Sequence, residues 1–312
     1  MEIYVWIALA VLLSGIGAML WFTLPIAIRV YKAQLVRTSK DVWGRVCSAP
    51  DNQEQLQMWN EGCQWADEHK DAMEEVHIVN EELNLYGEFY RFGDDKCVII
   101  LPGRCESLKY SYYFAEPYRK AGYNVLVIDS RAHGHSDGER STIGRKESGD
   151  VIAWANFLIK QYGIKTICLH CICVGSATGI LASIAKNCPA EVCEFVTEGC
   201  FTTFRETFKQ HMIADKRPLF PVLDLVMLLI YLNTGTNVLA ASPIANIGKL
   251  KSRTLFLHSE KDIFSRPVQA KRLFKKCGSP DKKLVWFSQG SHSHIRINNK
   301  EKYDNTIVEF LK

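Results

Sequence analysis

The sequence Thr166-Ile-Cys-Leu-His-Cys-Ile-Cys-Val-Gly-Ser-Ala-Thr-Gly-Ile-Leu-Ala-Ser-Ile-Ala-Lys186 decides the fold of this chain. Its first five residues, Thr166 to His170, form an apolar run typical of a buried strand. The next five, Cys171 to Gly175, predict a tight turn, and Ser176 to Lys186 predicts a helix with small residues in its first turns. This order places Cys173 at the centre of the turn, ahead of a helix N-terminus that favours negative charge.

Strand, sharp turn and small-residue helix are the setting of the nucleophile elbow, spelled G-x-S-x-G, in which a strained turn exposes a reactive side chain. Cys173 occupies the central position, Gly175 keeps the last glycine, and Cys171 replaces the first. A literal G-x-S-x-G string is centred on Ser136, but a polar loop follows it and no helix is predicted to begin there. We therefore predict Cys173 as the nucleophile and a loop role for Ser136.

Composition limits the class of protein. The 312 residues, 47% hydrophobic and 23% charged, suit one sizeable domain with a small appendage. A net charge of +4 is too weak to indicate nucleic-acid binding. Eleven cysteines without paired framework spacing indicate a reducing compartment. Cys168, Cys171 and Cys173 lie on a strand and its turn without C-x-x-C spacing, so no metal site is predicted.

The N-terminal segment predicts a transmembrane anchor over residues 1–28. Ile3 to Ile28 contains no charged residue, and as a helix it exceeds the roughly 30 Å hydrocarbon core of a bilayer. Trp6, Trp21 and Phe22 suit the membrane interfaces. A buried core helix would rarely run this long. A cleaved signal peptide requires a basic N-terminal region and a small-residue cleavage site, whereas this sequence begins Met1-Glu2.

Charge predicts the orientation of this anchor. The five basic residues nearest the segment all follow it: Arg29, Lys32, Arg37, Lys40 and Arg45. The positive-inside bias then places the C-terminal part in the cytoplasm, on a single-pass anchor in the cell membrane. A reducing compartment agrees with this orientation.

The remaining chain divides into a helical linker over 29–72, with Trp43, Leu56, Trp59 and Trp65 as apolar anchors, and a domain over 73–312. Two alternating runs predict antiparallel edge strands: Glu75 to Val79 and Leu83 to Tyr90. Continuous apolar runs predict buried parallel strands: Cys97 to Leu101, Asn124 to Ile128, Thr166 to Leu169, Glu194 to Thr197, Thr254 to His258 and Leu284 to Phe287. Helical patterns separate most of them, which predicts a doubly wound α/β domain with its ligand crevice at the carboxyl ends of the strands.

The interval from Phe201 to Ile247 breaks the alternation. Its apolar run, Val222 to Leu232, is too short to cross a membrane and contains Asp224. We predict a helical cap over the sheet at about 201–247, and expect this cap to supply most of the pocket walls.

From about Val76 to Leu311 the chain resembles the α/β-hydrolase superfamily, close to its bacterial membrane-anchored peptidase/lipase-like (serine aminopeptidase-like) members. Five markers occur in family order: Leu101-Pro-Gly-Arg104, Asp129-Ser-Arg-Ala-His-Gly-His-Ser-Asp-Gly138, the elbow at Cys173, His258-Ser-Glu-Lys-Asp262, and Gly290-Ser-His292 followed by Glu301-Lys-Tyr303. The resemblance implies a hydrolase of ester, thioester or amide bonds that takes a small acyl substrate and needs no metal or organic cofactor.

A nucleophile needs a base within reach, and that base needs an orienting carboxylate. This fold supplies them in the order nucleophile, acid, histidine, and Cys173, Asp262 and His292 occur in that order. His294 is the rival base, two residues further on. The family's closing segment matches His292 better, so we predict His292.

The oxyanion hole of the family uses backbone N–H groups, one of them from the residue after the nucleophile. The resemblance assigns these donors to Val174 and Arg104, where Pro102-Gly103 replaces the more usual His-Gly.

The cysteine at the elbow is compatible with two functions, a cysteine hydrolase and a non-catalytic protein. Thiolate is the better nucleophile, and members resembling dienelactone hydrolases use cysteine. The alternative is a non-catalytic binding or scaffold protein on an inherited fold. The partners predicted at Asp262 and His292 favour an enzyme. The side chain of Cys171 favours the alternative, because it replaces a glycine that eases the packing of the turn.

Overall fold

A computed structural model describes residues 2–37, 46–47 and 49–312 of the chain. One eight-stranded sheet forms its centre, in the order β1-β2-β4-β3-β5-β6-β7-β8. β1 and β2 pair antiparallel with each other, β2 pairs antiparallel with β4, and all remaining pairs are parallel. The strands are β1 (Met73–Asn80), β2 (Leu83–Tyr90), β3 (Lys96–Leu101), β4 (Asn124–Ile128), β5 (Thr166–Ile172), β6 (Val192–Glu198), β7 (Arg253–Ser259) and β8 (Lys282–Phe287).

The described residues also contain helices on both faces of the sheet and before it. They are α1 (Glu2–Leu35), α2 (Gln53–Glu68), α3 (Leu108–Tyr112), α4 (Glu116–Lys120), α5 (Glu147–Tyr162), α6 (Val174–Ser183), α7 (Phe204–Ala214), α8 (Val222–Thr234), α9 (Pro243–Asn246), α10 (Pro267–Lys276), α11 (Ile295–Asn298) and α12 (Lys300–Phe310). Because helices cover both faces, the central strands are buried almost throughout, which explains their continuous apolar runs. The predicted doubly wound α/β architecture is confirmed.

The turn after β5 is shorter than predicted. β5 continues to Ile172 and α6 begins at Val174, so the chain reverses direction at Cys173 alone. Cys173 has φ +51° and ψ −110°, a left-handed backbone conformation that lets one residue join strand to helix. The prediction of a five-residue turn is wrong, because composition does not reveal that a single strained residue can end the strand and begin the helix.

The N-terminal helix extends past the predicted anchor boundary at residue 28. α1 has 34 residues and is long and apolar enough to cross a membrane by length and composition. Residues 2–18 are exposed, whereas Ala27, Val30, Tyr31 and Leu35 are buried against the domain. The predicted linker is therefore not one separate helical unit, because its first turns belong to α1 and its second half contains α2.

α2 packs against α3 and contributes Met58 and Trp65 to the core. Trp43, Lys40 and Arg45, which entered the linker and orientation predictions, lie outside the described residues.

The predicted helical cap is present as α7, α8 and α9. α8 packs along α1, and its one charged residue, Asp224, accepts a hydrogen bond of 2.7 Å from Arg205 of α7. Val222, Val226 and Ile230 form the buried stripe of α8.

Candidate active site

A cavity of about 700 Å³ lies at the carboxyl ends of the strands and contains both Cys173 and His292. The cap contributes only His211 and Asp215 to its walls. The prediction that the cap supplies most of the walls is therefore wrong. The other described lining residues come from α1, the segment before α2, the loops after β3, β7 and β8, and α2: Ala33, Gln34, Val46, Cys47, Ala49, Gln55, Gly103, Arg104, Cys105, Glu106, Phe264 and Ser293.

Cys173 is held rigidly at the bottom of this cavity. Its N–H donates to the carbonyl of Glu198 on β6 at 3.0 Å, and the residue is 9% exposed. The helix that follows approaches the neighbouring strand closely, since a Cβ on Gly175 would lie 2.4 Å from the carbonyl oxygen of Leu101. Glycine is required at position 175 for this approach, which is why the last glycine of the motif is retained.

The cysteine that replaces the first glycine of the motif is accommodated by a second glycine. Cys171 is fully buried on β5, and its Sγ would lie 2.4 Å from a Cβ placed on Gly179. The space for the thiol therefore comes from α6, one turn after the elbow. The side chain of Cys171 is thus compatible with the turn, contrary to the objection that it distorts the packing.

Asp262 and His292 form an ordered pair, of which His292 lines the same cavity. His292 Nδ1 and Asp262 Oδ2 are 2.7 Å apart. The other carboxylate oxygen accepts the N–H groups of Phe264 at 2.9 Å and Ser265 at 2.7 Å, which fixes the acid. His292 Nε2 has no hydrogen-bond partner within the described part of the chain.

Asp262 and His292 each favour the charged form of the other. Burial opposes the ionised form of Asp262, but the adjacent His292 lowers the pKa of that carboxyl below its usual value. Burial also disfavours protonated His292, yet the charge of Asp262 and the neighbouring Cys173 side chain raise the pKa of His292 well above its usual value. The three side chains are thus electrostatically linked across the cavity.

Two rejected candidates lie elsewhere. His294 faces α2, with Nε2 2.6 Å from Gln55 Oε1 and Nδ1 3.1 Å from Glu54 Oε2. Ser136 is 1% exposed, donates to the carbonyl of Asp129 at 2.7 Å and accepts the N–H of Tyr86 at 2.9 Å. Both hydrogen bonds of Ser136 hold the loop after β4.

The loop after β3 presents a backbone donor at Arg104. Pro102 has no N–H, and the N–H of Gly103 donates to Glu106 Oε2 at 2.8 Å. The backbone N–H of Arg104 donates to no described residue. Val174 is the first residue of α6, so its N–H has no carbonyl partner within that helix.

Three further polar residues at or near the cavity are not marked by any sequence motif. Burial lowers the pKa of His211 to about 3, and its ring stacks on Phe264 with centroids 4.0 Å apart. Burial raises the pKa of Glu106 in the loop after β3. Burial likewise raises the pKa of Glu198 to about 7, although Tyr303 donates to its Oε2 at 2.6 Å. A polar residue that ends an apolar strand, as Glu198 does, was the available signal.

The strand order and the cavity at the carboxyl ends define an α/β hydrolase fold. Residues 96–212 match the family described as alpha/beta hydrolase fold. An esterase of Pyrococcus furiosus has a similar structure, with a TM-score of 0.67 and 24% identity, covering 79% of this chain and 92% of the esterase. An α/β hydrolase of Vibrio vulnificus has a TM-score of 0.64 at 17% identity, covering 92% of this chain and 94% of that one. The chain therefore has the α/β-hydrolase fold, and its residues 96–212 match the model of that family.

Two curated relatives have similar sequences. YqkD of Bacillus subtilis, an uncharacterised protein, is 29% identical over 207 residues, which are 66% of this chain and 66% of YqkD. A Saccharomyces cerevisiae protein named as an uncharacterised membrane protein is 25% identical over 198 residues, 62% of each chain. The match thus spans slightly less than two thirds of the length of each relative.

Proposed function

We propose that the protein hydrolyses an ester, thioester or amide bond through a covalent acyl-enzyme on Cys173. The observation that carries this proposal is the 2.7 Å contact between His292 and Asp262 in the cavity where Cys173 adopts φ +51°. A strained backbone at a nucleophile and an oriented histidine are the two features that this chemistry needs.

In the proposed reaction His292 Nε2 takes the proton of the Cys173 thiol, and Sγ attacks the carbonyl carbon of the substrate. The N–H groups of Arg104 and Val174 stabilise the resulting oxyanion. The intermediate collapses to a thioester as His292 gives its proton to the leaving alcohol, thiol or amine. Water, deprotonated by His292, then attacks the thioester, releases the carboxylic acid and returns the proton to the thiolate. Asp262 orients the histidine and stabilises its cationic form.

Hydrolysis of a panel of short acyl esters tests this proposal. Cys173→Ala and His292→Gln should each lower kcat/KM by roughly 10²-fold or more, because nucleophile and base act as one unit. Matched controls are Ser136→Ala and His294→Gln, which remove the two rejected candidates and should retain kcat per folded molecule. Unchanged hydrolysis in Cys173→Ala, or loss in Ser136→Ala alone, would overturn the assignment.

The second candidate function is a binding or scaffold protein that uses the same cavity without turnover. The cysteine at the elbow, in place of serine, is the observation that favours it. Saturable binding of an acyl ester without hydrolysis, equal in the parent and in Cys173→Ala, would support this second function.

We further propose that α1 anchors the catalytic domain to the cytoplasmic face of the membrane. The long apolar helix and the basic residues Arg29 and Lys32 after its uncharged part support this orientation. The name of the yeast relative agrees with a membrane location.

A further inference from the structure

The segment from the end of α7 to the middle of α8 carries three large exposed apolar side chains. Phe220 is 76% exposed, and Ile213 and Leu228 are each 49% exposed. We name these three residues the cap edge. Exposed Lys216 and half-exposed Arg217 lie between them in the chain, so the cap edge combines apolar and basic groups.

The direction of α8 relative to α1 follows from contacts at their carboxyl ends. The carbonyl of Leu35, at the end of α1, accepts the N–H of Ser141 at 2.9 Å. The end of α8 contacts the same segment, since Arg145 donates to the carbonyl of Thr234 at 2.9 Å. Because α8 packs along α1 and both end together, the two helices run parallel.

This parallel packing fixes the height of the cap edge along α1. α8 rises by about 18 Å from Val222 to Thr234, at 1.5 Å per residue. Counting the same rise back from Leu35 brings Val222 level with about Thr23 and Phe220 level with about Trp21. Trp21 and Phe22 are themselves 79% and 71% exposed.

The free part of α1 ends at this height. From Ile3 to Trp21 the helix is about 27 Å long, close to the roughly 30 Å hydrocarbon core of a bilayer. Aromatic side chains at Trp21, Phe22 and Phe220 would then meet the membrane interface at one level, with Lys216 and Arg217 among the lipid headgroups.

We propose that the cap edge rests in the interfacial region of the lipid bilayer beside α1. The cavity opens next to this edge, because Asp215 lines the cavity and lies between Ile213 and Phe220 in the chain. The bilayer therefore supplies the substrate, an amphiphile with a long acyl chain. The contact with lipid rests on the proposed membrane anchor, and the supply of substrate rests in addition on the proposed hydrolase function.

Photo-crosslinking tests the lipid contact without any assay of activity. The full chain is reconstituted in phosphatidylcholine/phosphatidylglycerol vesicles containing a phosphatidylcholine with a diazirine near its ester carbonyl. Mass spectrometry of peptides should find adducts between residues 213 and 228, and Phe220→Glu should reduce them at least fivefold. Leu232→Glu is the matched control, because Leu232 is 67% exposed but lies at the opposite end of α8, where the change should have no effect.

Either of two results would overturn the membrane contact. One is a parent chain without adducts over 213–228 while α1 is labelled. The other is a chemically cross-linked pair of chains joined through this segment, which would make a second copy the occupant.

Enzyme assays then test the substrate class. Phe220→Glu should lower the turnover of a long-chain acyl ester embedded in vesicles at least fivefold and leave the hydrolysis of a water-soluble short ester unchanged, whereas Leu232→Glu should affect neither. Equal turnover of the embedded ester in the parent and Phe220→Glu would overturn the supply of substrate from the bilayer. Absence of hydrolysis of both esters would contradict the proposed hydrolase function. The lipid adducts would then remain the test of the membrane contact of the cap edge.

Discussion

Individual residues determine whether this chain is an enzyme, and Cys173 is the first of them. It occupies the one strained position between β5 and α6, with its thiol in the same cavity as the ordered His292–Asp262 pair. The sequence alone predicted all three residues by their order. It could not predict the 2.7 Å contact between the histidine and the acid, because the loops after β7 and β8 must meet to make it.

Cys173→Ser distinguishes a site adapted to thiolate from a decayed serine site. A hydroxyl has a much higher pKa than a thiol, so His292 should activate serine poorly. We expect kcat to fall at least tenfold and inactivation by thiol alkylators at this site to disappear, as measured with a soluble ester. A rise in activity above the parent would show that the surroundings suit serine and would contradict the adapted site.

Glu198 should make stability depend on pH. Its pKa rises from 4.5 to about 7 because of burial, so the folded protein holds a proton that the unfolded chain releases in this range. The stability is fully present below about pH 4.5 and is lost as pH rises through about 7, by up to about 3 kcal/mol. Glu198→Gln cannot ionise, so chemical unfolding in detergent should show a smaller loss between pH 5 and 8. Parallel pH curves for the parent and variant would contradict the shifted carboxyl.

Among the secondary-structure elements, β5 and α6 pack closely because the side chain of Cys171 on β5 lies against Gly179 on α6. From the sequence alone, Cys171 predicts crowding at the turn, because it replaces a glycine of the motif. The structure places its sulfur against Gly179, so the missing space at the turn is supplied by the helix. No periodicity or local motif reveals such a pair, since the two positions meet only when the strand and helix pack.

Gly179→Ala should destabilise the domain by about 1–3 kcal/mol through overpacking. The new Cβ would lie 2.4 Å from Cys171 Sγ and 2.9 Å from Phe195 Cε2, both in the core. Cys171→Ala in the same chain should recover part of this loss, as measured by thermal unfolding in detergent.

The matched control is Gly149→Ala on α5, where a new Cβ meets nothing closer than 3.8 Å. It should be neutral or stabilise by up to about 1 kcal/mol, since alanine is the better helix former. Simple additivity of Gly179→Ala and Cys171→Ala would contradict the proposed steric coupling between these two positions.

For the molecule as a whole, the second half of α1 packs against the domain, where Ala27, Val30, Tyr31 and Leu35 are buried. The apolar runs predicted the sheet and the anchor, because burial between helices and immersion in lipid each require continuous apolar sequence. They could not predict that Ala33 and Gln34 of α1 line the cavity. That contact depends on how α1 docks against the domain, which local patterns do not encode.

Protease protection tests the proposed orientation of the domain. In right-side-out vesicles the domain should resist added protease, and in inside-out vesicles it should be digested, because Arg29 and Lys32 favour the cytoplasmic side. Digestion from the outside of intact cells would contradict this orientation. Permeabilised vesicles of both kinds provide the control for intrinsic protease sensitivity.

Intact-mass measurement during turnover detects the proposed covalent acyl-enzyme on Cys173. With an excess of an activated short ester and rapid acid quenching, the parent should show a burst of one leaving group per chain. Its mass should increase by one acyl group, mapped to Cys173 and removed by hydroxylamine. Cys173→Ala should show neither the burst nor the adduct. Turnover that persists in Cys173→Ala, or an acyl group carried instead by Cys105, would contradict the account.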